Sequence, residues 1–535
     1  MNINILQTER VEELQEKFHL SSLCARVLAS KRLDDIQIEE LLREPKLADP
    51  FTAKGMKEVA DRLYQAKVKQ EKVLVCGDYD ADGICSTAIL VDALKRYGIS
   101  CGFYIPNRFK EGYGLQKHTV TMAADKGYTL LVTVDNGVKA FEALQEAEKR
   151  NIDVIVTDHH AMDEEIPCLY LLHPFEMGER FATLSGAGVA LEISRALLGE
   201  VKEHVVLACV AAIADVMPLV KETRDIVKLG IAYLKQGICQ PIQQLAKDRY
   251  PKWDEQLIAF QVVPKINTTG RLADMVNANN TVKYLMLRNK EEILKVSKQI
   301  HELNEQRKVM SNEMVETAKK LIHPEYPFQL LFHESFHEGM AGLVAGKLSE
   351  ELQRPVMVAA QRDTMFKGSI RSNGMLDLTT FFDGCRCELS AYGGHKAAAG
   401  IGFSCEKKQV IQDYVNGKMA HITLDSEHSY DVIQGSLEDL RVQEIESLSV
   451  LAPFGSGFEE PLFYFPHTAV SDFKKLSGGL HAKWRISDQC EAMYFNCSNK
   501  MKELEGKDHL DFIGNLRINS FMGRKKVNIF LTEAF

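Results

Sequence analysis

The chain has 535 residues, 45% of them hydrophobic and 26% charged, and a net charge of −9. That length exceeds one ordinary core and predicts roughly three or four domains. The balance is that of a soluble globular protein, no apolar run approaches the roughly 20 residues of a membrane span, and acids interrupt the start (MNINILQTERVEELQEKF) where a signal peptide would be apolar. A cytoplasmic protein with no membrane partner is expected.

The negative charge excludes less than it suggests. Acids gathered around cations count towards −9 but are neutralised when the cations bind, and the field a nucleic acid meets is local. The twelve cysteines are scattered, with only Cys385 and Cys387 close together and no CxxC pair for zinc or redox chemistry. They are read as small buried hydrophobes kept reduced.

In chain order, residues 1 to about 50 read as short helices, and Lys54 to Lys69 carries apolar residues at helical spacing. Strand and helix patterns then alternate: strands at Val73–Gly77, Ser100–Ile105, Leu130–Val134 and Asp153–Thr157, helices at Ala88–Tyr97 and Val138–Lys149. Continuous apolar strands separated by helices predict a parallel sheet covered on both faces. Lys290 to Ile322, charged and free of Gly and Pro, predicts one long helix, or two, joining the halves of the protein. A second α/β unit follows, with strands at QLLFH and PVMVAA and a glycine-rich YGGHKAAAG. The last hundred residues break into short β-like runs (HAKWRIS, CEAMYF, HLDFIGNL, KVNIFLTEAF), which predict a small antiparallel barrel.

Ligands of an open parallel sheet bind beyond the carboxyl ends of its strands. Here VLVCG is followed by Asp78-Tyr79-Asp80-Ala81-Asp82-Gly83, LLVTV by Asp135-Asn136-Gly137, and DVIVT by Asp158-His159-His160, and the apolar run VVLACVAAIA delivers Asp215. One such Asp is ordinary turn or cap chemistry. Three consecutive strands releasing acids at one edge would create repulsion and raised pKa values without cations. Hard oxygen donors with one imidazole suit manganese or magnesium better than zinc. Two such cations are a known device for phosphodiester hydrolysis, and Asp135 is the candidate shared ligand because its strand is expected between the other two acidic loops.

The segments GDYDADG, VTVDNG, DHH and ADVMPL resemble the four motifs of DHH phosphoesterases, and IPNRFKEGYGL, LSGAGVALEI, VPKINTTGRLAD, HEGMAGLVAGKL, GSIRS, YGGHKAAAG and LAPFGSGFEEP narrow the resemblance to RecJ-like exonucleases from about residue 20 onward. The resemblance implies an α/β protein with a parallel-sheet DHH domain and a DHH-associated α/β domain joined by a long helix, followed by a C-terminal OB-fold β-barrel. The expected divisions are an N-terminal helical segment (1–52), the DHH catalytic domain (53–285), the connecting helix (286–325), the DHH-associated domain (326–425) and the OB-fold domain (426–535). It implies one metal on Asp82, Asp135, His159 and Asp215, and another on Asp80 and Asp135 with help from Asp78. His160 would face the phosphate as donor or proton-handling group, or else support His159. Arg271, Ser369 and Arg371 match positions that bind DNA phosphates, and Arg108, just past a strand end in IPNRFKEGYGL, is placed to grip a backbone phosphate. Gly393, Gly394 and His395 belong to the DHH-associated domain, with His395 expected to point into the cleft.

The implied activity is that of a monomeric, metal-dependent single-stranded-DNA exonuclease, 5′ to 3′, in recombination and repair. A helicase or a single-strand-binding protein is the class of partner open to it, and no residue pattern selects one. Removing residues from about Tyr430 onward is expected to leave a folded catalytic unit. Trp484, Tyr494 and Phe495 are available for base stacking in the barrel, though most such aromatics are core. Three residues depart from the family pattern: His173 before Pro, Phe458 in PFGSGF and Lys265 in PKIN. Two other readings stay open: a DHH phosphodiesterase of short oligonucleotides or cyclic dinucleotides, and a non-catalytic single-strand DNA-binding protein.

Overall fold

A computed structural model describes residues 2–162, 164–247, 251–424, 429–498, 500–521 and 524–535. The expected boundary at 425/426 lies outside the described residues. Five strands form the first sheet: β1 (Lys72–Cys76), β2 (Ser100–Tyr104), β3 (Leu130–Val134), β4 (Asp153–Thr157) and β5 (Tyr170–Leu172). They run in the order β2-β1-β3-β4-β5, all parallel. β3 therefore lies between β1 and β4, and the three acidic turns leave one edge side by side. Alternate residues of β1 and β3 feed separate cores on the two faces: Val73, Val75, Leu130 and Val132 on one, Leu74, Cys76 and Leu131 on the other. This is the double burial that unbroken apolar strands require.

Helix α1 (Ala81–Tyr97) starts seven residues before the expected Ala88, which places Asp82 in its first turn. The reason is local: Asp80 caps the helix by accepting the Gly83 N–H at 3.0 Å. Helix α2 (Gly186–Leu198) and helix α3 (Lys202–Ala214) pack against α1. Helix α4 (Val263–Arg271) brings the NTTGR segment over the same edge. The linking segment is one helix, α5 (Lys290–Lys319). Beyond it a second sheet carries β6 (Gln329–His333), β7 (Val356–Arg362), β8 (Met365–Arg371), β9 (Ala391–His395) and β10 (Ala398–Ser404), in the order β9-β10-β8-β7-β6.

Two expectations need correction. The amino-terminal segment is not wholly helical: Asn2–Ile5 is a strand, parallel to Ser429–Gln434. The helices after it bury Leu14, Leu23, Val27 and Leu28 in one core with Phe463, Trp484 and Phe512 of the C-terminal domain, and Arg26 pairs with Asp439 at 2.7 Å. Period and composition reveal helices but not which distant core takes their apolar faces. The C-terminal sheet is also mixed rather than antiparallel, because Ser429–Gln434 pairs parallel with Phe463–Ala469, and Cys490–Tyr494 with Arg524–Ala534. Trp484, one of the possible stacking residues, is buried in that core, whereas Phe495 is 44% exposed. Among the described residues no helix is long and apolar enough to cross a membrane.

Candidate metal centre and phosphate cleft

Each acid is held by a different local device. Asp82 accepts from the Ser185 hydroxyl at 3.0 Å and from the Gly186 and Ala187 N–H groups at 2.7 and 2.8 Å, at the amino end of α2. Free N–H groups and the helix dipole favour a carboxylate there. Asp135 takes a left-handed turn, φ 60°, off the end of β3. Gly186 permits its approach: a Cβ there would lie 2.5 Å from the Asp135 Cβ. Asn136 braces the turn, donating to the Cys76 and Val134 carbonyls at 3.0 and 2.9 Å and accepting the Leu115 N–H at 3.0 Å. The acidic loop after β1 is fixed from α4, where the Asn267 side chain accepts the Ala81 N–H at 2.8 Å.

His159 sits where these devices converge. Its Nε2 is 3.1 Å from Asp135 Oδ1, 3.4 Å from Asp215 Oδ2 and 3.7 Å from Asp82 Oδ2. Two groups of side chains offer atoms within 4.8 Å of one another: Asp82, His159 and Asp215, and Asp135, His159 and His160. Asp78 and Asp80 stand beside these groups and in neither. Burial, then the neighbouring carboxylates Asp82 and Asp80, pushes Asp135 well above the ordinary carboxylate range. Burial and Asp80 do the same to Asp78. Asp215 is also raised, by burial and then Asp82 and Asp80. Asp78 Oδ1 and Asp135 Oδ1 are buried with no hydrogen-bond donor. Orphaned, mutually repelling carboxylate oxygens around one imidazole fit hard divalent cations.

His160 is held by Asp158. The Asp158 Oδ1 lies 2.7 Å from His160 Nδ1 and accepts the backbone N–H groups of His159 and His160 at 2.8 and 3.1 Å, while Oδ2 accepts that of Val138 at 3.0 Å. Burial pulls the imidazole pKa down, but the Asp158 hydrogen bond and charge outweigh it and leave it raised. The His173 Nε2–H donates to the His160 carbonyl at 2.9 Å, so this departure from the family pattern supports the DHH turn. Lys265 is buried and donates to the Gln261 carbonyl at 2.7 Å. Phe458 closes a tight turn with Gly455, each N–H donating to the other's carbonyl at 3.0 Å.

On the adjoining side four guanidiniums gather. After burial, the neighbours that lower the Arg271 pKa to about 10 are Arg108, Arg307 and Arg371. Arg371 donates to Ser369 Oγ and the Ile370 carbonyl, both at 2.8 Å. Arg108 lies 5.2 Å from the centre of the Tyr79 ring. Gly339 lets the second domain close on this cluster, since a Cβ there would lie 2.0 Å from the Arg271 carbonyl. Gly342 leaves room within that domain for Arg371, whose Nη2 a Cβ would meet at 3.0 Å. Like charges held this closely call for an anion. Gly393, Gly394 and His395 lie on β9, opposite Gly400, Ala399 and Ala398 of β10. All three are exposed, and no contact ties His395 to the acidic groups among the described residues.

Sequence reasoning missed two members of the site. Tyr113 donates its hydroxyl to the Asp135 carbonyl at 2.9 Å and lies 3.3 Å from the His160 ring nitrogens. Its place in EGYGL, between two glycines, was the available signal. Arg307 sits in the middle of α5 with a buried Nε that has no acceptor. In a helix dense with charges nothing distinguishes it in one dimension.

A parallel sheet with acids and a DHH turn at one edge, facing a second α/β domain across arginines, defines a DHH phosphoesterase. Family models agree: the DHH family N-terminal domain matches residues 72–218, the DHHA1 domain residues 325–421 and the RecJ OB domain residues 433–533. The chain belongs to the RecJ family. It is 31% identical to the single-stranded-DNA-specific exonuclease RecJ of Bacillus subtilis (strain 168) over 98% of this chain and 69% of that protein. With the protein of the same name from Haemophilus influenzae it shares 28% identity over 90% of this chain and 91% of the relative. The crystal structure of RecJ in complex with Mn2+ from Thermus thermophilus superimposes with a TM-score of 0.85 at 25% identity, covering 100% of this chain and 79% of that one.

Proposed function

We propose that this protein is a single-stranded-DNA exonuclease that hydrolyses phosphodiester bonds with two divalent cations, manganese or magnesium. The observation that carries the reading is the convergence of Asp82, Asp135, Asp215 and His159, with two orphaned carboxylate oxygens, beside a cluster of arginines. In this reading Asp82, Asp135, His159 and Asp215 hold one cation, and Asp80 and Asp135, with Asp78, hold the other. When bound, the cations supply an activated water and charge stabilisation for the phosphoryl group.

The remaining work falls to side chains. Arg108, Arg271 and Arg371, with Ser369 and the Gly393-Gly394-His395 segment, hold the strand by its phosphates. Guanidiniums grip phosphate in pairs of hydrogen bonds without selecting bases, which suits a sequence-tolerant nuclease. His160, its Nδ1 held by Asp158, presents Nε2 to the reacting phosphate as hydrogen-bond donor or acid. Tyr113 holds the Asp135 carbonyl and the His160 ring in register. The DHH domain, connecting helix and DHH-associated domain form the catalytic unit in this reading, and the C-terminal OB domain, with the amino-terminal segment packed on it, serves the longer strand. Five-prime to three-prime action as a cytoplasmic monomer in recombination and repair, with a helicase or single-strand-binding protein as partner, completes the reading.

The test is hydrolysis of end-labelled single strands with and without Mn2+, beside duplex and dinucleotide substrates. Manganese-dependent release of mononucleotides from one end of the single strand is expected. Preference for the dinucleotide would overturn the proposal in favour of a small-substrate phosphodiesterase.

A further inference from the structure

Two exposed apolar side chains outside the metal centre, Val216 and Phe260, have no part in the chemistry described so far. Val216, the residue after Asp215, holds φ 54° and is 69% exposed, and Phe260 is 79% exposed. Left-handed backbone is costly for a β-branched residue, and such strain persists where the surroundings impose it, often at functional sites. Phe260 lies in the middle of a π-helical turn, Ile258–Val262, an irregularity that also concentrates at such sites. Both residues line a cavity of about 220 Å³ with Ile213, Met217, Phe454 and Gly455.

The cavity is built from two domains and held in shape. The Leu219 N–H donates to the Ser456 carbonyl at 2.7 Å, and the Phe454 N–H to the Glu255 carboxylate at 3.2 Å. Arg224 donates to the Leu451 and Pro453 carbonyls at 2.6 and 2.9 Å. A Cβ on Gly455 would lie 2.8 Å from the Leu219 side chain, so this wall is in close contact across the domain boundary.

We propose that this cavity is a nucleobase subsite, in which one unpaired base of the single strand enters beside Val216 and stacks on the Phe260 ring. The inference rests on the nuclease reading above and adds a place where the strand is held by a base. The occupant follows from position and chemistry. The cavity is walled by Ile213 and Val216, which flank Asp215 in the chain, and by Phe454, Gly455 and Ser456 of the C-terminal domain, so it lies between the end of α3 and the OB domain. Its described lining is apolar apart from Glu255, Gln256 and Ser456, with no lysine or arginine. An acidic peptide or a bare phosphate finds no counter-charge there, whereas the flat face of a base needs none. Stacking of this kind tolerates any base.

The experiment uses the full chain with Mn2+ and single strands carrying one abasic position, moved stepwise from the end where hydrolysis starts. With the unsubstituted protein, KM is expected to rise about 5- to 150-fold when the abasic position falls in the subsite, the range that stacking of one base implies. Phe260→Ala should raise KM for the intact strand by a similar factor with little change in kcat, and should no longer respond to the abasic position. Phe260→Trp should restore both. Hydrolysis by the unsubstituted protein with an unaltered abasic profile in Phe260→Ala would overturn the subsite alone. Absence of hydrolysis by the unsubstituted protein would overturn the nuclease reading and this inference with it.

Discussion

Gly186 and Asp135 approach so closely that a Cβ on the glycine would fall 2.5 Å from that of the aspartate. Gly186 also gives its N–H to Asp82 at 2.7 Å, so one glycine sets the spacing of two carboxylates. Gly186→Ala is expected to displace Asp135 or the start of α2 and to cost about 10²-fold or more in rate, on the order of 3 kcal/mol of transition-state stabilisation. Measured rates within tenfold of the parent would show that the contact is not needed.

Asp135→Asn separates stability from activity. Burial and the neighbouring acids hold the Asp135 carboxyl well above its ordinary pKa, so its anion is unfavourable in the metal-free fold. The neutral amide should raise the metal-free Tm by a few degrees and abolish hydrolysis, and Asp135→Ala should likewise abolish hydrolysis with the fold intact. More than a few per cent residual activity in either variant would count against a shared ligand.

Metal removal should make stability depend on pH in a defined sense. Carboxylates with raised folded-state pKa values, Asp78, Asp135 and Asp215, bind more protons folded than unfolded. Their contribution is therefore lost as pH rises from about 4 through the raised values. The metal-free Tm should fall between about pH 5 and 8, and Mn2+ at about 100 times its Kd should restore about 2.7 kcal/mol. Because the cation displaces those protons, its stabilising effect should grow with pH. Calorimetry at several pH values reads both, and a metal-free Tm that rises over that interval would contradict the account.

His160 and Arg371 should fail differently. His160→Ala should slow the chemical step by about 10²- to 10⁴-fold with little loss of affinity. Arg371→Ala should weaken strand binding and reduce the salt slope by about 0.7, the value for one phosphate contact on a single strand. Equal affinity losses in both would misplace the cleft.

Truncation at Tyr430 tests the shared core. The catalytic core does not include Leu14, Leu23 or Val27, which pack with Phe463 and Phe512. Against the expectation from sequence, removing residues from Tyr430 onward should expose these side chains and give aggregating protein. Removing residues 1–45 as well should yield a soluble, metal-binding core with weak affinity for long strands. Light scattering of the two truncations distinguishes them.

Four of the five strands of the first sheet, the strand ends that carry the acids, and the helical character of the segment from Lys290 were legible in one dimension, because periodicity and turn residues are local properties. The short edge strand Tyr170–Leu172 and the unbroken course of the helix to Lys319 were not. So was the shared neighbourhood of the candidate ligands, since three parallel strands with equivalent turns leave one edge. Folding in three dimensions was needed to show which carboxylates converge on His159, that Asp158 serves His160, and that Tyr113 and Arg307 join the cleft. These relations join residues tens to hundreds of positions apart or turn on side-chain direction, and packing rather than propensity selects them. The amino-terminal strand shows the same limit: Asn2–Ile5 has its partner at Ser429–Tyr430 and beyond, and nothing in four residues specifies a neighbour more than 400 positions away.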